Sequence, residues 1–273
     1  MKYAIEYTKK CKYLDDIDEY LVKYVEGKDE ELVKFINSID KRVIITIEEE
    51  QLENFVLNKK LKYWAEAGCF GYTFRLPGLN TSVSAQKIKL VAKTMWELNI
   101  PYFFNQYVNS IDLFQSMVTT WQVSDIYITD ELGFELANIA PIAKENDVKI
   151  RVFPNVAQAI VDVEPKIKQF FVRPEDVAIY EPYVDVLELF GEKEDYNFLY
   201  KVYALDKKWF GDLSELIDGV EIDSRRIVPE FGEKRTRCGK KCFKGGKCKM
   251  CDRVQELAET LEEHELFIKQ NKE

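Results

Sequence analysis

The chain has 273 residues, 46% of them hydrophobic and 32% charged, and a formal net charge of −9. That is enough for one large packed α/β domain, and it is not the composition of a disordered chain. No apolar run approaches the roughly 20 residues that cross a bilayer, and the lone histidine, His264, sets aside Ser-His-Asp, Cys-His and HExxH chemistry.

Met1 to Tyr7 enters strand-like alternation at once, with no signal-peptide core, and the first strand is expected over Tyr3 to Tyr7. The compartment this predicts is the cytoplasm, where six cysteines serve as thiols or ligands rather than disulfides. Tyr13 to Ser38 reads as helical, Arg42 to Ile47 as the second strand, and Glu50 to Ala67 as a helix. Gly71 to Leu76 is the third strand, closed by Pro77-Gly78. Ser84 then caps a helix to Leu98 that carries Ile88, Val91, Ala92 and Met95 on one face. Ile100 to Asn105 is the fourth strand, Ser110 to Thr120 a helix, and Asp125 to Ile128 the fifth strand. Thr129 or Asp130 caps a helix from Glu131 to Asn146. Val148 to Phe153, Gln169 to Val172 and Val184 to Leu189 complete the strands, and Asp195 to Lys207 is helical.

Eight strands alternating with crossovers predict a parallel sheet closed into a (β/α)₈ barrel of the TIM-barrel type over residues 1–230. Residues 231–273 follow as a basic four-cysteine segment with a terminal helix. The same alternation also suits an open doubly wound sheet, but no glycine-rich phosphate loop follows any strand. Barrel sites form at the C-terminal strand ends. Those positions hold Thr8 and Lys9, Glu48 and Glu49, Arg75, Asn105 and Gln106, Thr129 to Glu131, Asn155, Arg173 and Glu175, and Glu188. Each is also the kind of residue that caps and turns use. Arg75, Arg173, Glu48, Asn105 and Glu188 form the candidate ligand-binding set, because guanidinium groups at the ends of apolar strands need partners and suit a small anion.

The sharpest signal is Cys238-Gly-Lys-Lys-Cys242-Phe-Lys-Gly-Gly-Lys-Cys248-Lys-Met-Cys251. A basic, glycine-containing loop does not bury thiols, so these four are read as ligands, and four thiolates suit zinc or an iron–sulfur cluster alike. Lys234 to Arg253 carries +8, leaving −17 on the remainder. That patch would offset bound thiolates or touch an RNA backbone, whereas the acidic body does not suit a general nucleic-acid binder. Cys11, after the first strand, lies near the expected mouth. Cys69, before the third, belongs at the opposite end as core packing.

Pro101-Tyr102-Phe103-Phe104-Asn105 with Asn109, Ser124 to Leu132, and Lys149-Ile150-Arg151-Val152 resemble the collagenase-like peptidase family (peptidase U32). The resemblance covers about a fifth of the chain. It implies a barrel carrying a 4Fe-4S cluster, similar to oxygen-independent hydroxylases of RNA bases or quinone precursors. Departing from that family, this chain has no cysteine between Phe153 and Cys238, so site residues do not carry over one by one. The function expected is an iron–sulfur barrel enzyme acting on RNA or a small aromatic or acidic substrate. The alternative is a non-catalytic binding or scaffold protein with a structural zinc site. A true peptidase would lack an identifiable nucleophile.

Overall fold

The computed structural model describes residues 1–7, 17–52, 60–75, 82–104, 107–108, 110–128, 130–156, 166–191, 196–217, 220–228, 230–239 and 249–257. Its strands are β1 (Lys2–Glu6), β2 (Glu19–Lys23), β3 (Arg42–Glu48), β4 (Gly71–Arg75), β5 (Tyr102–Phe104), β6 (Tyr107–Val108), β7 (Asp125–Ile128), β8 (Lys149–Val152) and β9 (Val186–Leu189). They form one sheet in the order β5-β4-β3-β2-β1-β9-β8-β7-β6, parallel at every ladder. The two ends of that order meet. The amide of Ser124, just before β7, donates to Tyr102 O of β5 at 2.8 Å, which bends the sheet into a nearly closed barrel of eight parallel strands, with β6 a two-residue addition.

Burial explains why these segments are strands. In β3 the five residues from Val43 to Ile47 are all buried, the near-continuous apolar run of a parallel sheet covered on both faces. Tyr72 and Phe74 of β4 point outward, Tyr72 packing on Trp64 of the helix Lys60–Glu66. Thr73 and Arg75 alternate to the lumen side. The helix Ser82–Leu98 lays Ile88, Val91, Ala92 and Met95 on the sheet, as its spacing predicts. Among the described residues no helix is long and apolar enough to cross a membrane.

Two elements differ from the sequence expectation. The stretch expected to be one helix from Tyr13 to Ser38 contains β2 and only then a helix, Asp29–Ser38. Its core, Tyr20-Leu21-Val22, is a short apolar run, and such runs have no period that separates a buried strand from a helix. Gln169 to Val172, expected as a strand, stays out of the sheet, because β8 pairs directly with β9 (Arg151 with Val186). Phe170, Phe171 and Val172 are apolar because they are buried beside that sheet. The count of eight therefore holds with one member exchanged.

Other boundaries shift. The helix expected over Glu131 to Asn146 comes in two pieces, Asp130–Gly133 and Leu136–Glu145. Gly133 lies so close to Phe170 that an added Cβ would stand 2.3 Å from its ring. Across residue 230 the chain stays packed on the barrel: Phe231 and Arg235 of the helix Glu230–Arg235 are both buried. A further helix spans 250–257, and the expected terminal helix beyond it lies outside the described residues.

Candidate functional site

Three polar clusters follow from strand register. The first fills the lower lumen. Glu19 opens β2, Asp125 opens β7, and Arg151 and Glu188 lie in the middle of β8 and β9; all four are buried. Arg151 reaches Glu19 at 2.7 Å, Asp125 at 3.0 Å and Glu188 at 3.4 Å, and its face covers Phe103 at 4.9 Å. Tyr127 donates its hydroxyl to Glu188. Burial opposes the Glu19 carboxylate, but Arg151, with Lys149 and Lys2, holds its pKa below the usual range. Burial dominates at Glu188 and raises its pKa despite Arg151. Glu19 and Asp125 stand at the N-terminal ends of their strands, where barrels keep stabilising rather than reacting groups, and Arg151 and Glu188 reach toward them from the third positions of theirs.

The second cluster lies at the mouth. Glu48 and Arg75 end the neighbouring strands β3 and β4 in register. Arg75 meets Glu48 at 3.3 Å, and Lys23, ending β2, meets the same carboxylate oxygen at 2.8 Å. Two partly exposed cations thus share one anion. Below Arg75, the buried Thr73 Oγ1 has no hydrogen-bond partner among the described residues. On the opposite side of the ring of strands, Phe153 follows β8 and Phe190 follows β9. Phe153 stacks on Tyr127 at 5.1 Å and meets Phe190 edge-on, while Asn155 clamps the Phe190 backbone by donating to its carbonyl and accepting from its amide. The mouth therefore sets two cations that share one carboxylate across from the buried Phe153 and the exposed Phe190.

The third cluster lies on the flank beside the mouth. The segment leading to the cysteines is fastened there by two backbone bonds, Ala137 N to Thr236 O and Gly239 N to Phe134 O. Ala137 is at the strand-end side, in the first turn of the helix that follows β7. Cys238 and Cys251 are half-buried against the core, and Asp252 pairs with Lys168 at 2.6 Å.

Of the sequence candidates, Glu48 and Arg75 come together at the mouth. Glu188 lies deeper in the lumen. Arg173 stands apart from both: it grips Asp176 bidentately at 2.7 and 2.8 Å, reaches Ile227 O at 3.5 Å and packs over Phe231. Glu175 accepts from Ser224, and Glu49 pairs with Lys87. Asn105, Thr8, Lys9, Cys11, Gln106, Thr129, Cys242 and Cys248 lie outside the described residues. Among the described residues no three or more His, Cys, Asp or Glu side chains gather as a metal-ligating group. Cys69 is buried and its thiol donates toward Val43 O and Gly71 O. Sequence reasoning missed Glu19, Lys23, Arg151 and Arg235. Arg151 carried a usable signal, a cation between Ile150 and Val152 in an apolar strand; Glu19 and Lys23 were hidden by the helical reading of β2.

No family model matches the chain, and no curated protein matches it. Solved structures similar to it include a conserved Enterococcus faecalis protein of unknown function, 13% identical, over 75% of this chain and 66% of that one, with a TM-score of 0.41. A holo aldo-keto reductase from Bacillus halodurans is 8% identical, over 78% of this chain and 86% of that one, with a TM-score of 0.46. Phosphoribosylanthranilate isomerase from Thermotoga maritima is 10% identical, over 75% of this chain and 99% of that one, with a TM-score of 0.43. The chain thus spans just under two thirds of the Enterococcus protein. What strand topology and site define is a class: a TIM-barrel protein with a charged, aromatic-walled mouth.

Proposed function

We propose that this chain is a barrel enzyme that binds a small anionic or aromatic substrate at its mouth and carries an iron–sulfur cluster on the four cysteines beside it, in line with the resemblance to the collagenase-like peptidases. The observation that carries the reading is the shared Glu48. One carboxylate is shared by two cations, Lys23 and Arg75, so an anionic group at the strand ends would give each a partner of its own. Thr73 offers an unpaired hydroxyl below it, and Phe153 and Phe190 a surface for a ring.

The flank fits a thiolate-bound group in two respects. Two of the four thiols are half-buried, and among the described residues the buried guanidinium of Arg235 has N–H groups without a partner. Cys238 and Cys251 would hold the group together with Cys242 and Cys248. When bound, a 4Fe-4S cluster supplies one-electron transfer. The chain's own contribution is to orient and to exclude water: Arg75 would fix the anionic end of a substrate, and Phe153 and Phe190 would cover its ring.

A scaffold with structural zinc is the second reading. Cys238 follows the helix Glu230–Arg235 and Cys251 lies in the helix over 250–257, so a metal would staple two helices that already pack on the barrel. RNA contact would fall to the basic segment, given the −17 carried elsewhere.

Protein purified without air should contain iron with acid-labile sulfide, whereas one zinc per chain would favour the scaffold. Benzoate and phenyl phosphate, titrated calorimetrically, should bind the wild type and bind Arg75→Ala about tenfold or more weakly. Equal binding by both proteins, or by neither, would remove the mouth from consideration.

A further inference from the structure

Arg235 ends the helix Glu230–Arg235 and is 1% exposed. Its Nη2 donates to Gln169 O, and its plane lies among the rings of Phe134, Phe171 and Phe231 at 4.9, 4.2 and 4.9 Å. Nε and Nη1 are buried without a hydrogen-bond partner among the described residues. Aromatic faces stabilise a cation but leave in-plane N–H groups unsatisfied. The nearby carboxylate, Asp176, is already taken by Arg173 in a two-bond fork. Among the described residues, two guanidinium groups and one carboxylate leave a net positive charge at this place, an arrangement that costs free energy unless a further anion completes it.

The thiols are the neighbours that can complete it. Cys238 N donates to Arg235 O at 3.2 Å, which places that residue one turn beyond the guanidinium's own backbone. Cys251 enters from the helix over 250–257, seated by the buried Val254. Burial lowers the pKa of Arg235, and Tyr180, Cys251 and Asp176 act in the opposite direction. Tyr180, fully enclosed, responds to both Arg235 and Cys238. Cys251 is thus within electrostatic reach of Arg235, and Cys238, joined to it through the backbone, is within reach of the adjoining Tyr180. A metal held by four thiolates is a net anion with sulfur lone pairs, and such centres depend on surrounding donors.

We propose that Arg235 is a positioning residue of the thiolate centre, supplying from inside the fold the positive charge and N–H donors that its bound sulfurs require. This rests on the four-cysteine reading above and deepens it. The charge offset is then built into the barrel's own packing and is not left to the exposed lysines of the segment alone.

The test uses the full reduced chain, cobalt(II) as the only added metal, and chelator competition to obtain affinity. Thermal midpoints of the metal-free proteins are measured alongside. The wild type should develop the thiolate-to-cobalt absorption, and Arg235→Met should bind cobalt about 10- to 100-fold more weakly, the range for partners in the outer shell of a metal. Its metal-free midpoint should match or exceed the wild type, because an incompletely paired buried cation has been replaced by an apolar chain. Arg235→Lys should retain affinity within a few-fold. Equal cobalt affinity in Arg235→Met, or Arg235→Lys as weak as Arg235→Met, would overturn the assignment. If Arg235→Met does not fold, Arg235→Gln decides by the same affinity criterion. Absence of the thiolate band in the wild type would instead overturn the four-cysteine reading itself, a result readable before any variant is made.

Discussion

Replacing Arg151 by Met should cost more than any change at the mouth. The guanidinium bridges Glu19, Asp125 and Glu188 across three different strands, at 2.7, 3.0 and 3.4 Å, in a lumen closed to solvent. Removing it leaves three carboxylates facing one another, and breaking a buried pair in this way costs about 3–5 kcal/mol. At about 2.1 cal/mol/K per residue, 273 residues unfold with about 0.57 kcal/mol per degree. The midpoint should therefore fall by about 5–9 °C near pH 7.5, followed by circular dichroism. Lys62→Ala, which removes an exposed pair with Glu66, should move it by less than about one degree.

The pH dependence carries a sign. Glu19 has a lowered pKa in the fold, so its contribution is present above its ordinary value of 4.5 and is lost as pH falls through the folded value. Glu188 has a raised pKa, so its contribution is full below its ordinary 4.5 and fades as pH rises through the folded value. Arg151→Met removes the group that depresses Glu19 and opposes the rise at Glu188. The gap between variant and wild type should be widest at neutral pH and narrow as pH falls, first as the carboxylates left without Arg151 take up protons in the variant and then as Glu19 of the wild type is protonated through its lowered pKa. A gap under about 2 °C at pH 7.5, or one unchanged at pH 4, would refute the reasoning.

Arg173→Ala should lower the midpoint by a similar 3–5 kcal/mol equivalent, about 5–9 °C, because Asp176 is left buried and unpaired. Arg75→Ala should cost about one degree or less, its pair being half-exposed; comparable losses would contradict the separation of a structural from a mouth arginine. Gly133→Ala drives a methyl into the Phe170 ring and should cost about 1–3 kcal/mol by denaturant titration, with an unchanged midpoint counting against the packing. Burial pushes the Cys69 thiol up to about 12, so peptide mapping after iodoacetamide at pH 8 should find it unmodified in folded protein and modified after denaturation.

Glu48 and Arg75 were legible because each ends an apolar strand, and a barrel brings strand ends together whatever lies between them. Lys23 is not legible, since its strand lies in a stretch that reads as helical: Tyr20-Leu21-Val22 is too short to reveal a period. Arg173 was ranked with Arg75 on the same grounds, yet Asp176, only three residues away, takes its guanidinium in a turn.

Alternation of apolar runs and amphipathic helices specified by itself a parallel sheet covered by helices, closed as a barrel or open and doubly wound, because each strand buried on both faces must be covered by the helix that follows it. It also marked which residues stand at the strand ends, and the four cysteines by their spacing. Which run becomes the eighth strand was decided only by tertiary structure, since Glu19–Lys23 and Gln169 to Val172 are equally apolar and differ in what they pack against. The same holds for the charges. Arg151, Glu19, Asp125 and Glu188 lie up to 169 positions apart in the chain, and no local pattern records that closing a sheet sets them within hydrogen-bond distance in one dry lumen.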